Sequence, residues 1–206
     1  MDFAAVLTIS TSLFFIMDPF ASLPVFLSIT KGLPAATIRS YANKAVLVAG
    51  ILMFAFVLAG PTLMNVFGVT MASFRVAGGI MLLLMAVEIV FSLSLSKPTG
   101  ERGAAWVIVA TPILTGPGVI TQSILLSDTY GMTTVMLAGL IALAITWILL
   151  RGSSLIIKFV GEQAIDIFSR VIGLLIAAMG IEYIFEGTYA WFGIKDALIA
   201  IAQILV

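Results

Sequence analysis

Asp18-Pro19-Phe20-Ala21-Ser22-Leu23-Pro24 lies inside an apolar run from Phe3 to Ile29. A carboxylate and two prolines there are hard to explain as packing. Proline removes a helical N–H and clashes one turn back. An ionised side chain at bilayer depth costs at least ~2.5 kcal/mol, so it usually faces a cavity or a partner. The device recurs 93 positions later as Thr111-Pro112-Ile113-Leu114-Thr115-Gly116-Pro117. Asp18-Pro19 and Thr111-Pro112 each read as a helix start, with Asp or Thr as N-cap and Pro at the first helical position. A helix beginning inside a membrane turns free N–H groups and the positive end of its dipole toward something polar. In Thr115-Gly116-Pro117-Gly118 the two glycines leave backbone bare for a ligand carboxylate. Asp18 suits an ammonium group, a proton or Na⁺, while Ser22, Thr115, Thr121 and Gln122 suit neutral hydrogen bonds. The plainer reading is that Asp18 only caps its own half-helix and that the prolines, Pro19, Pro24, Pro112 and Pro117, only bend the bundle. It explains one break, but not a second at matched depth.

Glu88 and Glu182 are the other acidic candidates, 13 residues past Arg75 and 12 past Arg170. That is ~18–20 Å along a helix. A coupling proton site and a headgroup-snorkelling or helix-bridging role stand level for both.

The chain that must position these groups has 206 residues, 62% hydrophobic and 10% charged, with mean hydropathy +1.23. Soluble domains are about 25% charged, so this is a polytopic membrane protein in contact with lipid. There is no Cys and no His. Disulfides, the usual nitrogen and sulfur metal ligands, and a His-based proton relay are therefore excluded. Net charge is zero, with no basic run to mark a nucleic-acid surface. Ser and Thr without His, and no spacing that pairs carboxylates, argue against an enzyme.

A span needs ~20 mostly apolar residues. Six are expected, near 4–29, 45–67, 75–95, 104–127, 131–150 and 170–188, with Asn43-Lys44 opening the second and Arg75 and Arg170 opening the third and sixth. Asp2 precedes the first, with no Lys or Arg before Lys31, so the first segment reads as a span rather than a secretory signal. Eight Lys or Arg residues fall in or beside the first, third and fifth joints and two, Arg75 and Lys195, on the other side. The positive-inside rule then puts both termini outside the cytoplasm. From Tyr189 to Val206 an interfacial helix is expected.

The halves repeat. Pro24 maps to Pro117 and Gly68 to Gly161 at an offset of 93, Arg75-Val76-Ala77-Gly78 to Arg170-Val171-Ile172-Gly173 at 95, and Met85-Ala86-Val87-Glu88 to Met179-Gly180-Ile181-Glu182 at 94. Three spans per half make the halves, 1–96 and 97–206, run oppositely through the bilayer. The expected fold is thus all-α, six helices as two inverted three-helix repeats with the first and fourth broken, an architecture of many secondary transporters.

Met17-Asp18-Pro19-Phe20-Ala21-Ser22-Leu23-Pro24 and its continuation to Leu33, together with Arg75–Leu83 and Thr111–Gly118, resemble the MarC family of bacterial and archaeal inner-membrane proteins. The resemblance covers roughly residues 5 to 187. It implies a six-helix protein related to small neutral amino acid transporters, which move glycine and alanine. Many relatives have Gly and Asn where this chain has Ala21 and Ser22, which bears on the side-chain size accepted. The function expected is secondary transport of a small zwitterionic amino acid by alternating access, with H⁺ or Na⁺ as coupling ion and no other cofactor. Asp18 takes the cation and the helix start at Thr115–Gly118 the carboxylate. An uncoupled metabolite exporter and a non-transporting membrane protein are the rivals. The sequence leaves oligomeric state open.

Overall fold

The structure, a computed structural model, describes residues 3–30, 32–92 and 114–193. The described residues form eight helices: α1 Phe3–Met17, α2 Pro19–Thr30, α3 Ala35–Val66, α4 Met71–Val90, α5 Pro117–Tyr130, α6 Met132–Arg151, α7 Ser153–Val160 and α8 Glu162–Trp191. Five stretches among them, Phe3–Leu27, α3, α4, α6 and α8, are long and apolar enough to cross a membrane. The expected fourth span, near 104–127, is represented by the 14 residues of α5. Its earlier part, with Thr111 and Pro112, lies outside the described residues.

Several boundaries differ from the sequence expectation, for one physical reason. A helix does not stop where its apolar stretch stops. α3 starts at Ala35, so Asn43 and Lys44 lie more than two turns inside it rather than opening it. Its 32 residues are ~48 Å long, well beyond a ~30 Å hydrocarbon core. α4 is started by Thr70, whose hydroxyl accepts from the Ser73 N–H at 3.2 Å, so Arg75 is in its second turn. α4 ends at Val90, earlier than expected, where Ser92 takes a left-handed backbone with φ 51°. α8 starts at Glu162, so Arg170 lies two turns in and bonds Asp166 at 2.9 Å. The 151–170 joint is thus largely helical, as α7 and the start of α8. Tyr189 and Trp191 close α8 instead of opening an interfacial helix, because Gly187, which separates them from its apolar run, is packed against Ala72 and Val76 of α4 and the helix continues through it. The tail beyond residue 193 lies outside the described residues.

α4 and α8 form the tightest pair. Ala72 and Val76 lie against Gly187, Gly79 against Gly180, and Val90 against Gly173, so the helices run antiparallel. At the crossing, a Cβ on Gly180 would sit 2.7 Å from the Gly79 carbonyl oxygen. Only glycine admits backbones this close, the small-residue contact expected in a bilayer. α3 and α6 form a second antiparallel pair, with Gly50 against Leu143 and Gly139 against Met53 and Phe54. α1, α2 and α5 pack between these pairs. The core of Leu13, Ile16, Met17, Leu23, Phe26, Met53 and Ile176 is sealed. Leu47, Leu58, Leu84, Leu140, Ile148 and Leu174 face outward, as they should where the solvent is lipid.

Candidate functional site

Asp18 separates α1 from α2. Its φ is 36°, one of two left-handed non-glycine residues among those described. Asp tolerates that region better than most side chains, at a cost of ~1–2 kcal/mol. The strained turn re-aims the chain so that Pro19 opens α2 and the Asp18 Oδ1 accepts the Ala21 N–H at 3.3 Å. The capping role read from the sequence is therefore present. It uses one oxygen only, with the Ser169 hydroxyl of α8 donating weakly to the same atom at 3.5 Å. Asp18 is 3% exposed, and its Oδ2 has no hydrogen-bond partner among the described residues. A buried carboxylate oxygen without a donor costs several kcal/mol unless a cation or proton meets it.

Pro19 holds the first position of α2. Pro24 lies inside it and leaves the Phe20 carbonyl without its helical donor. The Ser22 hydroxyl donates to the Asp18 carbonyl at 3.2 Å, so it secures the break rather than facing an open site.

In the second half the described helix entering the bundle starts at Pro117, and the helix start expected at Thr111-Pro112 lies outside the described residues. Gly116 is its N-cap residue with no side-chain cap, and Pro117 is its first position. Thr115 and Gly116, directly before it, are not helical. The N–H groups of Gly118 and Val119 lack helical acceptors by position, and α5 directs its positive dipole end there. Thr115 is 2% exposed and its hydroxyl has no partner among the described residues; the same holds for Ser123, fully buried one residue past Gln122.

Gly118 does not present bare backbone to a ligand on its side-chain face. A Cβ there would meet Leu82 at 3.0 Å and Met85 at 3.1 Å, so that face is filled by α4. Thr121 likewise packs its methyl against Gly78 of α4. Gln122, 1% exposed, is fully engaged: its amide nitrogen donates to the Ser12 hydroxyl at 3.0 Å, and its amide oxygen accepts from the Tyr183 hydroxyl. Ser12, Gln122 and Tyr183 thus form a polar bar across α1, α5 and α8.

Contact order along the helices fixes where these groups sit. α5 runs antiparallel to α4, with Asp128 by Arg75, Thr121 by Gly78 and Gly118 by Leu82 and Met85. The start of α5 therefore lies toward the C-terminal end of α4. Val90, at that end, packs on Gly173 of α8, one turn from Ser169, the Asp18 partner. Asp18 and the Thr115–Gly116 start thus lie on the same side of the Gly79–Gly180 crossing. Gln122 and Tyr183 lie nearer the other end, where Arg75 is 3.7 Å from both Asp128 and Glu186. A cavity of about 460 Å³ opens beside them, lined by Asn65, Gly68, Thr70 and Asp128 among others.

The two glutamates part company. Glu88 is half-buried near the Asp18 end of α4. Glu182 is exposed on α8, 13 residues and ~20 Å along the axis from Ser169. It is not brought together with Asp18.

Tyr183 and Ser12 are the site-forming residues that sequence reasoning passed over. The signal for Tyr183 is the glycine stripe at 173, 180 and 187. At ~100° per residue, Glu182 points opposite that stripe, whereas Tyr183 falls about 60° from it.

The MarC family integral membrane protein model matches residues 3–192. A UPF0056 membrane protein of Methanocaldococcus jannaschii is 32% identical over 199 residues, covering 91% of this chain and 97% of that one. The UPF0056 inner membrane protein YhgN of Escherichia coli K12 is 28% identical over 192 residues, covering 90% and 97%. A UPF0056 membrane protein of Archaeoglobus fulgidus is 28% identical, covering 86% and 89%. No solved structure matches. With a family match over nearly its whole length and an archaeal relative collinear with it, this chain belongs to the MarC family of integral membrane proteins.

Proposed function

We propose that the protein is a secondary transporter of small neutral amino acids, working by alternating access between two inverted halves, 1–96 and 97–206, in an inner membrane with both termini outside the cytoplasm. The observation that carries this reading is the sealed Asp18 oxygen without a partner among the described residues at one helix break, on the same side of the bundle as the sealed Thr115 hydroxyl and the helix start at Pro117. One break suits a cation and the other an anion. A glycine-sized zwitterion, with coupling H⁺ or Na⁺ at Asp18, satisfies both.

The repeat gains support from contacts at matched positions. Arg75 of α4 reaches Glu186, while its counterpart Arg170 of α8 reaches Ser92 at 3.1 Å, and 186 and 92 differ by the repeat offset of 94. Gly68 and Gly161, also matched, both take left-handed backbone before the last helix of their half. In this reading the site is occluded, with the Ser12–Gln122–Tyr183 bar on its outer side and the 460 Å³ cavity as the mouth beyond. Gln122 is then a closing element rather than a direct substrate ligand.

Proteoliposomes loaded with labelled glycine, under imposed pH or Na⁺ gradients, test the proposal. Gradient-driven saturable flux is expected. Asp18→Asn should lower it about tenfold or more, since an interaction with a charged group is worth ~1.5–3 kcal/mol. Flux that Asp18→Asn leaves unchanged would remove Asp18 from the mechanism. Saturable flux insensitive to both gradients would favour the uncoupled exporter.

A further inference from the structure

The transport reading leaves a groove between α3 and α6 unused. It encloses about 410 Å³, with Leu47, Gly50, Phe54, Leu140, Ala144 and Trp147 among its walls. Gly50 and Ala144 recess its floor, while Leu47 and Leu140, 63% and 56% exposed, form opposite rims. Its lining side chains are hydrocarbon apart from the Trp147 indole N–H, which is turned to the Asn43 Oδ1 at 2.8 Å. That end of the groove is also its charged end. The Arg151 guanidinium stacks 4.6 Å from the Trp147 ring centroid, and among the described residues no carboxylate pairs with it. Lys44 follows Asn43 on α3.

From Lys44 to Phe54 is ten residues, ~15 Å along the helix and half of a ~30 Å hydrocarbon core. The groove therefore spans one leaflet, apolar along its length and cationic at its headgroup end. Arginine prefers phosphate as a planar donor, and basic pockets between membrane helices take anionic headgroups. We propose that this groove is a binding site for one anionic phospholipid, an acyl chain lying between α3 and α6 and its phosphate held by Arg151 beside Trp147.

The test is native mass spectrometry of the purified full chain released from micelles containing equal phosphatidylglycerol and phosphatidylcholine. Wild type should retain one phosphatidylglycerol in at least fivefold preference. Arg151→Gln should remove the preference, and Ala144→Phe, which fills the groove from an exposed position, should lower retention of both lipids. If Ala144→Phe does not fold, Leu47→Trp blocks the groove from the opposite wall. Equal retention of the two lipids by wild type, or preferential retention untouched by Arg151→Gln and either blocking variant, overturns the proposal. A dimer that the blocking variant dissociates also overturns it, since a second copy would then cover the groove. None of these readouts depends on amino acid flux.

Discussion

Asp18 shows how one side chain serves two masters. Its Oδ1 caps α2, a bond that any Asp or Asn at a helix start makes. Its Oδ2, equally buried, has no hydrogen-bond partner among the described residues. A capping role is met as well by Asn as by Asp, so folding alone does not call for the charge. Asp18→Asn should accordingly leave the unfolding midpoint in detergent within a few degrees of wild type while lowering ion-coupled flux about tenfold or more. A large stability loss with flux retained would make Asp18 a structural residue. Tyr183 poses the converse case. Tyr183→Phe leaves the Gln122 oxygen without its donor, and an interhelical hydrogen bond in a membrane is worth ~0.6–2 kcal/mol. Thermal unfolding should register a loss of that order, whereas Ser169→Ala should cost much less, because its 3.5 Å bond to Asp18 is at the limit of hydrogen bonding.

At the scale of elements, glycine does three different jobs, and substitution to alanine separates them. At Gly79 the new Cβ would meet the Gly180 carbonyl oxygen, and no rotamer moves a backbone. α4 and α8 must part, at a cost of at least ~1–3 kcal/mol. At Gly68 nothing lies within 4 Å, but φ is 65°, so Gly68→Ala costs ~1–2 kcal/mol of backbone strain alone. At Gly118 the nearest atoms are the ends of Leu82 and Met85, and methionine adapts readily. Unfolding midpoints should fall in the order Gly79→Ala most, Gly68→Ala next, Gly118→Ala least. A Gly118 variant as damaged as the Gly79 one would contradict the close-contact account. What the sequence made legible follows the same division. Asp18 stands out because a carboxylate is rare at bilayer depth, and Pro19 and the Gly-Pro-Gly at 116–118 because they interrupt a helix. The left-handed pair Gly68 and Gly161 is visible as a sequence match at an offset of 93. Helix ends were not legible, because Ala35–Lys44 and Glu162–Arg170 contain no breaker and polar residues continue a helix past the membrane. The true face of Gly118 was hidden because a bare backbone invites a helix as readily as a ligand. Tyr183 was masked by the charge of its neighbour Glu182, which the helical register turns outward.

The whole molecule has an asymmetry that the proposed repeat does not require. The Arg75 cluster carries two carboxylates and ties α4, α5 and α8 together, whereas its matched cluster, Arg170 with Ser92 and Asp166, ties α8 only to the end of α4. With the Gln122 bar beside the first cluster, one end of the bundle is fastened twice and the other once. Two alternative packings of a repeat protein need such fastenings to differ in number and in which end they close. The absence of cysteine throughout the 206 residues makes this measurable. In wild type background, Thr115→Cys is sealed at 2% exposure and should react slowly with a membrane-impermeant thiol reagent from either face. Adding Tyr183→Phe and Arg75→Gln removes a hydrogen bond and an ion-pair pair, together ~1.4 kcal/mol, which shifts a two-state equilibrium about tenfold. Labelling from the face bearing Arg75 should rise by that factor, with labelling from the opposite face unchanged or lowered. A rise from both faces would mean general loosening of the bundle. No rise from either would mean that the bar and the Arg75 cluster serve packing, and that the end they fasten does not open.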